Sequence, residues 1–254
     1  QKYNTEVTIV EHNSRLMMRQ LDEKGAALLH ELVESSGINV VLNDSVVSVT
    51  GNRRVEGITL RSGKNIACYT VIVAAGVRPN IALASDAGLV FRKGIRVDDH
   101  LQTSEKDIYA IGECAEHNEY VYGLIKPAFE QAAVLADRLT GGDSIYVGST
   151  SATRLKVMSQ SVFSAGRTGV DEEASASVKE YTFLDKEEGI YRKIRVFGVY
   201  IVGAIAVGKW NESQLINEAI MEKRRIWFWQ LLRFSYSGNI WPRVTRTKKL
   251  SIGH

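Results

Sequence analysis

The sequence predicts an α/β chain that passes into an α+β C-terminal domain. Three observations carry this. Strand, helix and strand patterns follow one another up to Leu42. Thr70 to Ala75 (TVIVAA) is an almost wholly apolar run, as expected for a parallel strand buried on both faces. After Asp143 the texture changes to strand-length runs separated by turn residues, as in antiparallel sheets.

The elements follow in order. Glu6 to Glu11 (EVTIVE) reads as a strand that ends on an acid. Leu21 to Ser36 carries Leu21, Leu28, Leu29, Leu32 and Val33 as a helical stripe, with Gly37 closing it. Ile38 to Leu42 is a second strand. Short strands are expected at Val46 to Thr50, Val55 to Leu60 and Ile66 to Tyr69, with turns at Gly51-Asn52 and Ser62-Gly63. The apolar strand at Thr70 ends in the turn Gly76 to Asn80. Gly94 to Val97 and Ile108 to Ile111 are short strands, and a helix is expected from Pro127 to Leu139. Strands are then expected at Thr153 to Val157, Ser161 to Ser164, Val178 to Leu184, Tyr191 to Phe197 and Tyr200 to Val207, with a hairpin at Gly198. Asn211 to Arg225 is an amphipathic helix with Leu215, Ile216, Ala219 and Ile220 on one face. The motifs divide the chain at 1–80, 81–142 and 143–254.

The 254 residues suit one large domain or two to three small ones, with a hydrophobic fraction of 44% and a charged fraction of 24%. No apolar run has the length of a membrane helix, and Gln1 to Asn4 lack the succession of a signal peptide. Cys68 and Cys114 form neither a CxxC pair nor a zinc set with the five histidines, so two reduced thiols in a cytoplasmic protein and no metal are expected. Net charge is +3, but Lys209 to His254 holds nine Lys/Arg against three Asp/Glu. That uneven spread bears on the choice of partner. The basic, aromatic tail has no nucleic-acid module behind it, and neither nucleic acid nor a membrane is expected as a partner.

Three stretches carry chemistry. Glu11 ends a strand where, in a nucleotide-binding βαβ unit, a carboxylate accepts hydrogen bonds from adenosine ribose hydroxyls. A solvated strand end is the plain alternative. Thr70 to Asn80 (TVIVAAGVRPN) places Gly76 where backbone can pass close to a nucleotide, or makes an ordinary strand-to-turn transition. Thr103 to Glu113 (TSEKDIYAIGE) is the most specific. It reads as a buried strand ending on Gly112-Glu113, with an acid placed to accept from ribityl hydroxyls and a following helix whose positive end favours an anion. The phosphate-cradling partner of these motifs is missing, because no two of the 21 glycines stand two positions apart.

TSEKDIYAIGE resembles the second FAD-binding motif of the FAD-dependent pyridine nucleotide–disulfide oxidoreductase superfamily. AAGVRPN is similar to the turn that closes that superfamily's NAD domain, and VTIVEHNSRLMMRQLD to the second strand of that domain and the segment after it. Tyr122 to Gly142 and Thr153 to Gly166 are most similar to the flavoprotein region of assimilatory NAD(P)H nitrite reductase, with rubredoxin reductases as near cousins. The resemblance implies a partial FAD/NAD(P)-binding two-dinucleotide-domain fold followed by an α+β interface domain. It implies FAD and NAD(P)H as cofactors, and electrons passing from NADH through flavin to an acceptor protein or domain.

Carried over by position, Glu11 would meet the NAD ribose. Ala75 and Gly76 would pass the nicotinamide nucleotide. Gly112 and Glu113 would meet the FAD pyrophosphate–ribityl region, and Pro127, Ala128 and Phe129 would lie near the flavin ring. Glu113 stands where the superfamily usually has Asp. Glu11 disfavours a 2′-phosphate by charge, while Arg15 keeps NADPH open. No proton-transferring catalytic side chain is implied. Both glycine loops of the family would precede Gln1, and no cysteine set for siroheme or iron–sulfur centres is present, so nitrite reduction is not expected of these residues. The alternative is a non-catalytic fragment or assembly module that needs an N-terminal partner chain or a homo-oligomer. Lys223-Arg224-Arg225 and Arg243 to Lys249 flank Trp227 to Phe234 (WFWQLLRF), either as a docking surface for an acidic electron carrier or as an interface helix packed on its own core.

Overall fold

The computed structural model describes residues 5–149, 152–157, 160–170 and 177–242. Their contacts gather into two compact units: the described residues up to Thr70 together with those from Ala152 onward, and residues 71–151.

The first unit begins with strand β1 (Thr8–Val10), helix α1 (Glu23–Ser35) and strand β2 (Asn39–Val41), with β1 and β2 parallel. The parallel pair requires a crossover, and α1 provides it. Asp22 caps α1 by accepting from the Gly25 amide at 3.0 Å, and Gly37 follows at φ 80°. A three-stranded antiparallel sheet comes next: β3 (Val46–Thr50), β4 (Gly57–Leu60) and β5 (Asn65–Ala67).

The rest of this unit is a five-stranded antiparallel sheet of β8 (Thr153–Val157), β9 (Gln160–Gly166), β10 (Val178–Asp185), β11 (Ile190–Phe197) and β12 (Tyr200–Val207), in the order β10-β11-β12-β9-β8. Alternation along the strands sends apolar side chains to both faces. Phe163, Ile194, Val196, Ala204 and Ala206 face helices α4 (Ser213–Met221) and α5 (Phe228–Ser237), with Trp210, Ile216 and Phe234 filling that core. Val162, Tyr191, Ile205 and Val207 face the other way and pack against Leu28, Leu29 and Val33 of α1. Helix α1 thus covers the sheet as well as β1 and β2.

Charged residues on β11 are buried but partnered. Asp22 Oδ2 accepts from the Tyr191 hydroxyl at 2.7 Å and pairs with Lys193 Nζ at 2.9 Å. Glu180 pairs with Arg195 at 3.0 Å. On the opposite face Arg192 donates to the carbonyls of Gly238 and Lys209, both at 2.9 Å, and lies over the Trp210 ring. These bonds compensate the cost of burying cations.

The second unit holds α2 (Ala82–Asp86), the parallel strands β6 (Ile95–Val97) and β7 (Ala115–His117), and α3 (Ile125–Leu139). Buried Glu116 accepts from the Lys93 and Gly94 amides at 2.7 and 2.9 Å and from Arg92 at 3.0 Å. Burial pushes its carboxyl up, but the bonds from Gly94, Arg92 and Lys93 outweigh that and hold it below the ordinary value.

Four expectations are corrected. Thr70 to Ala75 is not a buried strand: no described strand pairs with it, and Ile72 and Val73 are 86% and 82% exposed. An apolar run becomes a buried strand only when neighbours supply ladder hydrogen bonds and covering faces, and the described residues supply none here. Ile108 to Ile111 is not a strand either. The left-handed Asp107 (φ 65°) folds the chain into a tight turn, in which Thr103 N–H reaches Ile108 O and Ala110 N–H reaches Leu101 O. The strand of that motif is β7, just after Gly112-Glu113-Cys114. The helix expected to reach Arg225 stops at Met221, because left-handed Lys223 (φ 49°) turns the chain and the Arg224 amide closes onto Ala219 O at 2.9 Å. Helix α3 begins two residues before Pro127.

Candidate functional site

The site is built on the turn that precedes β7. Gly112 to Cys114 form one 3₁₀ turn, with Gly112 at φ 80°, a conformation that favours glycine. The turn packs on α3, and a Cβ at Gly112 would lie 3.8 Å from Ala128 Cβ. The Gly112 amide donates to Gln131 Oε1 at 2.7 Å. Gln131 is fully buried; its side chain lies beside the Tyr146 hydroxyl, but its Nε2 makes no well-formed hydrogen bond among the described residues.

Helix α3 starts without a side-chain cap, and its first turn holds no acid. Pro127 has no amide hydrogen, so Ile125 and Lys126 carry the free N–H groups of that end. Behind the helix, Glu130 accepts from the Ser149 hydroxyl, and the Ser149 amide donates to Tyr122 Oη at 3.1 Å. These bonds tie the chain after α3 to the helix. Burial and the neighbouring Tyr122 push the Tyr146 hydroxyl up to about 12, although its bond to Ser149 acts the other way.

The structure brings some of the expected residues together. Gly112 and Ala128 share the turn–helix contact and Pro127 is buried, while Glu113 and Phe129 are exposed. Ala75 and Gly76 lie in an exposed stretch of the same unit, and Val77 sits 3.7 Å from where a Cβ on Gly123 would stand. The 75–77 stretch therefore runs beside the approach to α3. Gly76 is at φ 76° with open space around it, so its backbone conformation is what calls for glycine.

Glu11 belongs to the other unit. Its Oε1 accepts from the Asn13 amide at 2.9 Å and the Asn13 side chain at 2.7 Å, and His12 Nδ1 stands 3.1 Å away. Beyond Asn13 lies a cleft of about 350 Å³ lined by Ser14, Arg15, Glu23, His30 and Leu42, among others. The residue that sequence reasoning missed is Gln131. Its spacing of four residues from Pro127 puts the two on one face of α3, but only the structure shows that this face is buried and that the side chain there needs a partner. The segment Arg243 to Lys249 lies outside the described residues.

Comparison with known proteins agrees with this architecture. The family described as pyridine nucleotide-disulphide oxidoreductase matches residues 1–133. The rubredoxin NAD+ reductase C-terminal domain matches residues 152–224. The chain belongs to the pyridine nucleotide-disulphide oxidoreductase family. It is 36% identical over 227 residues to the assimilatory nitrate reductase electron transfer subunit of Bacillus subtilis, covering 89% of this chain and 29% of that protein. It is 38% identical over 222 residues to the nitrite reductase [NAD(P)H] of the same organism, covering 87% of this chain and 27% of the relative. The chain therefore spans under a third of the length of these two relatives. Among solved structures, it is similar to an NAD-dependent persulfide reductase from A. fulgidus at TM-score 0.72 and 25% identity, covering 86% of this chain and 44% of that one. It is also similar to NADH:rubredoxin oxidoreductase from Clostridium acetobutylicum at TM-score 0.61 and 26% identity, covering 88% and 54%.

Proposed function

We propose that the chain supplies the ribityl-side turn of a flavin site and the C-terminal domain of an FAD-dependent NAD(P)H oxidoreductase that delivers electrons to an acceptor protein. The observation that carries the reading is the Gly112–Gln131 bond, which holds the glycine turn against α3, a helix whose start is uncapped. A left-handed glycine, free helix amides and a buried amide with an unpaired nitrogen fit an anionic, hydroxyl-rich ligand there. When bound, the flavin supplies the hydride and electron chemistry.

Gly112 lets backbone approach the pyrophosphate–ribityl region, and Glu113 accepts from ribityl hydroxyls. Pro127, Ala128 and Phe129 border the ring, and the Ile125 and Lys126 amides favour negative charge on it. Ala75 and Gly76 pass the nicotinamide nucleotide. Glu11 exchanges its local bonds with Asn13 for bonds to the ribose hydroxyls of NADH and repels a 2′-phosphate. The functional division is 1–80 for the nicotinamide nucleotide, 81–142 for FAD and 143–254 for the interface domain. The working location is the cytoplasm, which suits the free thiols of Cys68 and Cys114.

The exposed Thr70 to Ala75 run favours a second element of this reading. A partner segment carrying both glycine loops completes the sites, and without it the chain is a non-catalytic module. Co-expression with a segment bearing two GxGxxG loops tests this. A co-purifying yellow complex absorbing at about 450 nm is expected. A colourless pair that cannot be reconstituted with FAD contradicts the proposal.

A further inference from the structure

Helix α5 has two apolar faces. Leu231 and Phe234 point into the core of the five-stranded sheet. At about 100° per residue, Phe228, Trp229, Leu232 and Tyr236 fall within an arc of roughly 100° on the other side. All four are exposed, from 55% at Leu232 to 91% at Tyr236. A surface helix ordinarily turns polar residues outward, and a contiguous outward apolar face marks a contact surface.

The described chain around that face is cationic. From Lys223 to Pro242 the sequence holds four Lys/Arg and no Asp or Glu. Arg224 is held by Glu222 and Glu218, but Lys223, Arg225 and Arg233 have no ion pair among the described residues. Arg225 lies over the Trp227 ring at 5.7 Å, and Trp227 and Trp229 stack with centroids 5.3 Å apart at 3°. The backbone of Arg225 bridges to Tyr200 of β12, and Gln230 closes back onto the Trp227 amide at 2.8 Å. The platform is thus fixed to the folded unit before any partner arrives, which lowers the entropy cost of docking.

We propose that this outward face of α5, with Arg225 and Arg233 beside it, docks an acidic protein, the electron acceptor of the function proposed above. Unpaired cations call for carboxylates, and arginine pairs with them in two-pronged fashion. Trp, Tyr and Arg are also the residue types that concentrate binding energy at protein interfaces. Stacked face to face, the two indoles form one slab that suits a shaped protein surface better than separate insertion into lipid. The proposal rests on the acceptor part of the functional reading and not on flavin binding by this chain.

The test is fluorescence anisotropy of two labelled acidic carriers, a rubredoxin and a [2Fe–2S] ferredoxin, titrated with the full chain. Binding of at least one is expected, weakening ~10-fold or more between about 20 and about 200 mM NaCl. R225E/R233E and W229S/L232S are each expected to weaken it by ~10-fold or more, with unchanged thermal melting, because all four side chains are exposed. K24E is the control on α1, expected to change binding by no more than about twofold. Absence of binding to both carriers overturns the proposal. So does an effect of R225E/R233E no larger than that of K24E. Binding only to phosphatidylglycerol vesicles, read by co-sedimentation, reassigns the face to lipid and equally overturns it. No flavin and no turnover enter these readings, so a failed flavin reconstitution leaves them intact.

Discussion

The amide of Gly112 donates to Oε1 of Gln131 at 2.7 Å, joining the 3₁₀ turn before β7 to the middle of α3. Substituting Gln131→Met keeps the volume and removes the acceptor. The Gly112 amide loses its partner, while the unpaired Nε2 is removed along with it, so the two effects partly offset. A loss of about 1 kcal/mol is expected for residues 71–151. Hydrogen exchange checks this directly: the Gly112 amide should exchange faster, with β9, β11 and β12 unchanged.

Gly112→Ala separates backbone strain from crowding. The nearest atom to the added Cβ is Ala128 Cβ at 3.8 Å, an ordinary contact, so only the φ of 80° resists the change. A cost of about 1 kcal/mol is expected, measured by urea unfolding. A much larger loss would mean that the turn is more tightly enclosed.

Asp22 sets an acid limit on the first unit. Burial pushes its carboxyl up, but bonds from Lys193, the Gly25 amide and Tyr191 prevail and hold it below 3.8. Its folded value is depressed, so its contribution to stability is present above 3.8 and is lost as pH falls through the folded value. Asp22→Asn retains a capping oxygen but leaves Lys193 with only the longer Glu180 contact of 3.4 Å. The variant should be less stable by about 1–3 kcal/mol at neutral pH. The difference should shrink once pH drops below 3.8. Denaturant midpoints across that range give the answer.

The exposed pair Ile72 and Val73 should be indifferent in the isolated chain. I72T/V73T is expected to shift stability by no more than about 0.5 kcal/mol, the usual range for surface sites. The same double change should impair assembly with a glycine-loop partner segment, read as a drop in co-purified complex. Equal recovery of wild-type and variant complex would show that this run does not face the partner.

Local pattern was enough to locate most of the fold. The β-branched runs of β9 to β12, Gly198 at its hairpin and the apolar stripe of α1 are all specified by residues near in sequence. The features that were not legible depend on distant neighbours. Thr70 to Ala75 has the composition of a central strand, yet composition cannot supply the flanking strands. Nor does the stripe of α1 say that the same helix also covers β11 and β12, because Tyr191 and Leu29 meet across more than half the sequence. At the candidate site, the turn at Gly112-Glu113 was readable because a left-handed glycine leaves a local mark, although the strand expected before it comes after it, as β7. The pairing of Gly112 with Gln131 was not, because a buried glutamine in a helix looks like any solvated one until its face is known. On α5, aromatic residues read equally well as core or surface. The structure divides them, with Phe234 inward and Phe228, Trp229 and Tyr236 outward.

The most direct test of the flavin reading is hydrogen exchange on the complex of this chain with a glycine-loop partner, with and without FAD. The account predicts that FAD slows exchange at Gly112, Glu113, Ile125 and Lys126 while the amides of β10 to β12 stay unchanged. Flavin binding that leaves the exchange of those four amides unaltered would contradict it.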